Sequence, residues 1–338
     1  MAKSARLSEV AKLAGVSPGL VSRLINDDPR LKIRDETRKR VESAIEMLQY
    51  TPHASARALR SSQTELLGFA LYHVTDPIYA QMVENAEAAA TAAGYSLVLL
   101  NAADLAADPD ALRRLTQGRK IDGLLIQGGY AEASSSLQAA NTVPTVLFNA
   151  DPLPGFRTVR LDDTGAAAMA TEHLIELGHT RVAFVGAEGS SSERRHRGYL
   201  SAMAKAGLAS HPPIHGGWEA DTARAVTESY YASGGTATGL VVVSTTGALG
   251  VHAGVIASGR RVGRDVSLVS IHDTWFAPHL SPALTVAAMP LGDLGRVAVE
   301  MLLEQIRDRG DGEVILDSPE TRIVHRASSA PPTDDAAG

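Results

Sequence analysis

Between residues 17 and 26 the side chains are sorted by helical spacing. Val21, Leu24 and Ile25 fall on one face, and Ser17, Ser22, Arg23 and Asn26 fall on the other. The polar set has the chemistry of a nucleic-acid reader. A guanidinium such as that of Arg23 can donate two parallel hydrogen bonds to O6 and N7 of guanine in a major groove. Hydroxyls such as those of Ser17 and Ser22 suit phosphate oxygens, and Arg6, Lys12, Arg34 and Arg38 supply further cations for the backbone. The charge is distributed to match. Residues 1–62 hold twelve Lys/Arg against seven Asp/Glu, a surplus of five positive charges. The remaining residues hold twenty against thirty-one, a surplus of eleven negative charges within a net charge of −6. A basic head on an acidic body implies that only the head meets a polyanion.

A second group of polar residues lies just beyond strand-like runs. Tyr72, His73, Asp76 and Tyr79 follow the run at 66–72, His272 and Asp273 follow VSLVSI at 266–271, and Asp162 opens a crossing between two βα series. Ligands of doubly wound sheets bind at the carboxyl ends of the strands, so these are candidate contacts for a small polar molecule. No catalytic constellation is visible. GxSxG, HExxH and GxxxxGK[ST] patterns are missing, and Gly186-Ala187-Glu188-Gly189 carries only half of a dinucleotide fingerprint and reads as a turn. With no cysteine there is no disulfide framework, Cys-ligated zinc or thiol chemistry. The eleven histidines are scattered, His179 reads as a structural cap, and no His/Asp/Glu cluster has metal-ligand spacing. The expectation is a protein without cofactor or metal, and not an enzyme.

The elements that must hold these residues can be read from spacing. In residues 6–50, Val10, Ala11 and Ala14 form one apolar stripe, ended by Gly15. Ser17-Pro18 starts a second helix, and Val41, Ala44, Ile45 and Leu48 mark a third. Two short helices about the turn Gly15-Val16-Ser17, closed by a third, make a helix-turn-helix head over 1–51. Residues 52–64 read as a hinge: Pro52, a short Ala-rich helical segment at 53–61 with one large apolar residue, Leu59, and a polar linker. From Glu65 strands alternate with helices: strands at 66–72, 95–100, 121–127, 143–149, 181–187, 239–244 and 266–271, with helices at 78–93, 109–118, 164–177, 193–206 and 246–258. The alternation occurs twice, which predicts an α/β body of two doubly wound parallel sheets over 65–328. Its first lobe is expected at 65–162 plus 291–318, and its second at 163–290 plus 319–328. The polar stretch 329–338 is expected to be a disordered tail. The N-terminus lacks an apolar segment of signal-peptide length and no run approaches about 18 apolar residues, so a cytoplasmic protein without a membrane partner is expected.

These residues carry a family resemblance covering roughly residues 6–328. Ser8-Glu9-Val10-Ala11-Lys12-Leu13-Ala14-Gly15-Val16-Ser17, Val21-Ser22-Arg23-Leu24-Ile25-Asn26 and Ala56-Arg57-Ala58-Leu59 are similar to the head and hinge of the lactose/galactose-repressor family. Glu172-His173-Leu174, Arg195-His196-Arg197-Gly198-Tyr199, Pro282-Ala283-Leu284-Thr285 and Val324-His325-Arg326-Ala327-Ser328 resemble its periplasmic-binding-protein-like body. The resemblance implies a homodimeric repressor on operator double-stranded DNA, controlled by a small-molecule effector in the cleft of the body, with a carbohydrate or derivative as first choice. It also implies that Leu59 wedges into a minor groove, that Arg57 and His53 belong to the DNA-facing hinge, and that Arg195 contacts the effector. The sequence departs from the family at Gly19, Leu20 and His53 in the DNA-binding region. In the body His272 stands where many sugar-binding members carry Asp. A donor that titrates near neutral pH at that position would favour an anionic or acylated sugar, or a nucleoside, over a plain hexose. A transport receptor would share the two-lobed body but would lack the head.

Overall fold

Gly15 adopts φ 67°, a left-handed conformation that glycine tolerates without cost, and it ends helix α1 (Leu7–Ala14) with its N–H on carbonyls of the last turn. Helix α2 (Pro18–Ile25) begins three residues later, where the Leu20 N–H donates to Ser17 Oγ at 3.3 Å. Helix α3 (Asp35–Met47) packs across both, and Val10, Ala11, Ala14, Val21, Leu24, Val41, Ala44 and Tyr50 form their common core. The tight turn between α1 and α2 makes this unit a helix-turn-helix. It is the first of two units, Met1–Thr64 and Glu65–Gly338. The computed structural model describes residues 5–25, 28, 30–50, 63–72, 74–118, 120–128, 142–307, 312–316 and 320–333. The expected hinge helix at 53–61 lies outside them.

The second unit holds two six-stranded sheets. In chain order the first lobe contains β1 (Leu66–Leu71), α4 (Pro77–Ala92), β2 (Ser96–Asn101), α5 (Ala102–Ala107), α6 (Pro109–Thr116), β3 (Gly123–Gln127), β4 (Thr145–Phe148) and β5 (Arg157–Leu161). The chain then crosses to the second lobe: α7 (Asp163–Glu176), β6 (Val182–Gly186), α8 (Ser190–Lys205), β7 (Ile214–His215), α9 (Ala220–Ala232), β8 (Gly239–Val242), α10 (Thr245–Ala257), β9 (Ser267–Ile271) and β10 (Thr285–Ala288). Helix α11 (Leu291–Arg307) and β11 (Gly312–Leu316) return to the first lobe, and β12 (Arg322–Val324) closes the second. The strand orders are β11-β5-β4-β3-β1-β2 and β12-β10-β9-β8-β6-β7, parallel throughout except for the β10–β12 pair. Strands β1, β3, β4, β6, β8 and β9 are buried almost end to end, as sheets covered by helices on both faces require.

The expectation of a disordered tail from 329 is corrected through Ala330. Ser329 is buried, and its Oγ meets His173 Nε2 at 3.0 Å and Thr285 Oγ1 at 2.9 Å. The Ala330 carbonyl accepts from His179 Nε2 at 3.0 Å and from Ser267 Oγ at 2.8 Å. His179 Nδ1 in turn meets Thr238 Oγ1 at 2.9 Å. Polar composition suggested disorder here, but these side chains satisfy the segment's backbone.

Close helix packing in the second lobe depends on Gly198. A Cβ there would lie 2.1 Å from the Thr164 carbonyl of α7, so no side chain fits without moving backbone. Gly198→Ala is expected to destabilise the protein by ~1–3 kcal/mol, measured as a lower midpoint of denaturant unfolding. An unchanged midpoint would show that α7 and α8 can separate freely.

Candidate functional site

In the head, Ser17, Pro18, Gly19 and Arg23 are exposed along α2, and Ser22 is half-buried. Arg23 is 62% exposed and its Nε lies 3.4 Å from Asp28, a surface ion pair weak enough to exchange for another acceptor. Arg38 is half-buried on α3. Asn26, His53, Arg57 and Leu59 lie outside the described residues.

In the body, a cavity of about 580 Å³ opens between the two lobes. Its first-lobe wall comes from the ends of three strands. Tyr72, Asp76 and Tyr79 follow β1, Gln127 ends β3, and Asn149 follows β4. Its second-lobe wall comes from Glu188 through Ser191 after β6, Arg195 on α8, Trp218 and Glu219 before α9, and Thr246 on α10. These are the carboxyl ends of parallel strands, where doubly wound sheets hold ligands.

Several wall residues are fixed by one another. The Tyr72 N–H donates to Gln127 Oε1 at 3.0 Å, and Gln127 Nε2 donates to the Tyr79 hydroxyl. Burial, the dominant influence, pushes the Tyr79 phenol up to about 12, so it stays protonated. Asp76 Oδ1 accepts the Ile78 N–H at 3.2 Å, capping α4, and the Thr246 hydroxyl at 3.1 Å from the other lobe. Trp218 donates through its indole N–H to the Glu188 carbonyl at 2.8 Å.

Arg195 meets the cavity from the end of a buried network. Its Nε donates to Asp163 Oδ1 at 2.8 Å, its Nη1 to the Val243 carbonyl at 2.5 Å, and its Nη2 to His272 Nε2 at 2.7 Å. Arg194 holds the other oxygen of Asp163 through Nε at 3.0 Å and Nη2 at 2.7 Å, and reaches Asp151 at 2.7 Å. Burial alone would raise the Asp163 carboxyl; the two guanidiniums, Arg195 first, outweigh it and hold it below the usual carboxylate range.

Three expected effector contacts need correction, because their side chains are engaged elsewhere and do not line this cavity. Asp162 caps α7, accepting the Gly165 N–H at 2.9 Å. Asp273 is gripped by both terminal nitrogens of Arg326, at 3.1 and 2.7 Å. His272 sits behind Arg195, 1% exposed. It does not titrate near neutral pH: burial first, and then the Arg195 guanidinium, push it down to about 3 against the pull of Asp163. Its Nε2 accepts from Arg195, so a neutral ring carries its proton on Nδ1. His73 lies outside the described residues. Sequence reasoning missed Gln127 and Asn149, although both close strand-like runs, and Trp218, which follows a strand of two residues. It also missed Asp163, one position beyond the Asp162 it chose.

Among the described residues no group of three or more His, Asp or Glu could hold a metal ion, and no helix is long and apolar enough to cross a membrane.

A helix-turn-helix unit followed by a two-lobed body with a cavity at the switch points of both sheets defines a ligand-responsive DNA-binding regulator. Comparison with known proteins gives the family. Residues 6–53 match the model of bacterial regulatory proteins of the lacI family, and residues 171–329 match a periplasmic binding protein-like domain. The ribose operon repressor of Escherichia coli K12 is 31% identical over 320 residues, spanning 89% of this chain and 93% of that protein. The crystal structure of a LacI family transcriptional regulator from Mycobacterium smegmatis is 32% identical, with a TM-score of 0.72 over 79% of this chain and 100% of that one. The lac repressor dimer bound to operator and the anti-inducer ONPF shares the fold, with a TM-score of 0.84 and 24% identity over 97% of this chain and all of that one. The chain belongs to the LacI family. It is a transcriptional regulator and not an enzyme.

The depressed His272 gives stability a pH signature. The unfolded chain takes up a proton as pH falls below about 6.5, while the folded chain resists until about pH 3. Stability contributed by the neutral ring is therefore full above that window and is lost progressively within it. The urea midpoint of the wild type should fall from pH 7 to pH 4, and His272→Gln should flatten the slope. Equal slopes would remove His272 as its source.

Proposed function

We propose that this chain is a cytoplasmic repressor that binds a near-palindromic operator as a homodimer and responds to a carbohydrate, or a derivative of one, bound in the cleft of its body. The observation that carries this reading is the joining, in one chain, of a helix-turn-helix exposing Arg23 to a body whose polar cavity is built from both lobes. The relatives support it: one is named for the ribose operon, and another was solved as a dimer on operator DNA. Two heads related by the dimer axis would enter successive major grooves, so half-site spacing follows from protein symmetry. Arg23 reads a base, and Ser17, Ser22 and Arg38 hold phosphates. Asn26, His53 and Arg57 extend the contact, and Leu59 unstacks a base step so that the bent duplex meets more protein. In the cleft, Tyr72, Asp76, Tyr79 and Arg195 surround the effector, and His73 is a further contact to it. Effector binding shifts the balance of lobe arrangements and thereby the hinge.

Gel-shift titration of the full chain against its own upstream DNA tests this reading. Affinity should fall steeply with salt, and a chain beginning at Glu65 should not bind DNA at all. Arg23→Ala should cost ~1–3 kcal/mol on the cognate site and flatten preference at one base position, whereas Arg38→Ala should weaken all sequences alike. Leu59→Ala should reduce the DNA bend. DNA binding by the truncated body equal to that of the intact chain would overturn the assignment.

A further inference from the structure

We infer that helix α2 reads one base pair of each half-site, a guanine through Arg23, and leaves a nearby pair unread because the residue over it is Gly19. The inference rests on the reading of α2 as the helix that enters the major groove. It names what that helix can specify in an operator and what it cannot.

The first argument is how few readers α2 carries. Groove-binding helices of this kind meet base edges with their N-terminal residues. All eight residues of α2, Pro18–Ile25, are described. Val21 and Leu24 are buried in the core of the head, and Leu20 and Ile25 pack partly buried against it. Pro18, Gly19 and Arg23 are exposed, and Ser22 is half-buried. Pro18 has no polar side-chain atom, Gly19 has no side chain, and the Ser22 hydroxyl stands one carbon from the backbone. Arg23 is therefore the one long polar side chain that α2 presents.

The second argument is that Arg23 has a neighbour able to orient it. Its Nε lies 3.4 Å from Asp28 Oδ2. Asp28 is itself tied down: its Oδ1 accepts the Arg30 N–H at 2.9 Å, and its own N–H donates to the Arg23 carbonyl at 3.1 Å. The carboxylate meets Nε and not the two terminal nitrogens, and it is through a pair of such N–H groups that a guanidinium matches guanine O6 and N7.

The third argument is that the fold does not require a glycine at position 19. Gly19 lies inside a helix, unlike Gly15 with its positive φ, and a Cβ on it would meet only Ser17 Oγ, at 4.0 Å. The helical glycines of the body differ. A Cβ on Gly198, Gly247, Gly250 or Gly295 would run into a backbone carbonyl packed against it. Gly19 thus serves neither a turn nor a close contact within the protein, and it weakens its helix relative to alanine. What it leaves is open space on the exposed face. Gly19 and Arg23 are four residues apart and share that face. Four residues rise about 6 Å, and base pairs stack about 3.4 Å apart. The open space therefore falls over a pair one or two steps from the guanine.

The test is selection by the full-length chain from a pool of duplexes randomised over both half-sites, followed by anisotropy titration of single-base variants of the selected duplex. The wild type should prefer guanine at one pair of each half-site by about tenfold, and Arg23→Ala should remove that preference. A pair one or two steps away should show a preference below about threefold, less than a good bidentate contact supplies. Gly19→Gln should create a preference of about fivefold or more for adenine at that same pair, because a carboxamide can bond adenine N6 and N7. Gly19→Ala should leave the profile unchanged and the affinity within about threefold of wild type, and helices favour both substitutions over glycine. Preferences above the threefold limit at every pair within two steps of the guanine overturn the inference. So does a Gly19→Gln chain that gains no adenine preference, or a guanine preference that survives Arg23→Ala. A larger loss of affinity in Gly19→Ala, with its circular dichroism and thermal midpoint intact, overturns it too, by showing that DNA comes too close to Gly19 for any side chain. Each of these results leaves the regulator reading in place. A wild-type chain that selects no duplex overturns the regulator reading, and the inference falls with it.

Discussion

One fully buried carboxylate, that of Asp163, organises the body. It is the first residue of α7, immediately after the chain first crosses between the lobes, and it is shared by two adjacent guanidiniums from α8. Arg194 carries the contact back into the first lobe, to Asp151 and to Asn149 Oδ1 at 3.4 Å. Arg195 carries it forward to the ends of β8 and β9, through the Val243 carbonyl and His272. The carboxyl ends of three strands and the first crossing are thus referred to a single point. Buried ion pairs of this kind add little net stability, because desolvation consumes most of the Coulomb gain, but losing one partner is severe because the other charge is stranded. Such a network fixes position more than it adds stability, and a sensor that must relate two lobes needs positions to be fixed.

The same network explains why the cavity wall is chemically one-sided. A lone arginine in a cleft would draw anions. Here the guanidinium is saturated from behind, so the side it shows to the cavity is closer to a dipole than to a free charge. Asp76, Glu188 and Glu219 place carboxyl groups on this wall, and Asp76 spans the cleft by accepting the Thr246 hydroxyl. Gln127 plays a comparable part in the first lobe, joining the Tyr72 backbone to the Tyr79 hydroxyl and so holding the Tyr79 ring in place.

Much of the fold was legible in the sequence because its strongest signals are physical. Fully buried parallel strands such as β1, β3 and β6 must be continuous apolar runs, and the head helices announce themselves by stripes, a glycine stop and a Ser-Pro start. Strand β5 escaped notice. It reads Arg-Thr-Val-Arg-Leu, and its arginines are half-buried only because Glu304 and Glu313 meet them at 2.8 and 2.5 Å from distant sequence positions. Strand β7, at two residues, is too short to carry a period. The site was read less well for a related reason. Sequence places Arg195 and His272 near strand ends, but not which side chains are consumed by one another. The 2.7 Å contact between them, across 77 positions, turned two expected ligand groups into a wall and its support.

Composition and function meet in the aromatic residues. They make up only 4% of the chain, so Ala, Val and Leu fill much of the cores, and helices such as α7 and α8 approach closely where Gly198 replaces a side chain. Close-packed small residues leave little slack, and interiors of this density switch between discrete packings more readily than they deform. Against that background, three rings line the cavity: Tyr72 and Tyr79 on one lobe, Trp218 on the other. Each has an apolar face and a polar edge, and the edges of Tyr79 and Trp218 are already bonded to the protein. Their faces can therefore meet a ligand without the entropy cost of ordering a free side chain. A cavity with rings and acceptors fixed in advance, set between two tightly packed lobes, can convert the small affinity difference between two lobe arrangements into a choice between them.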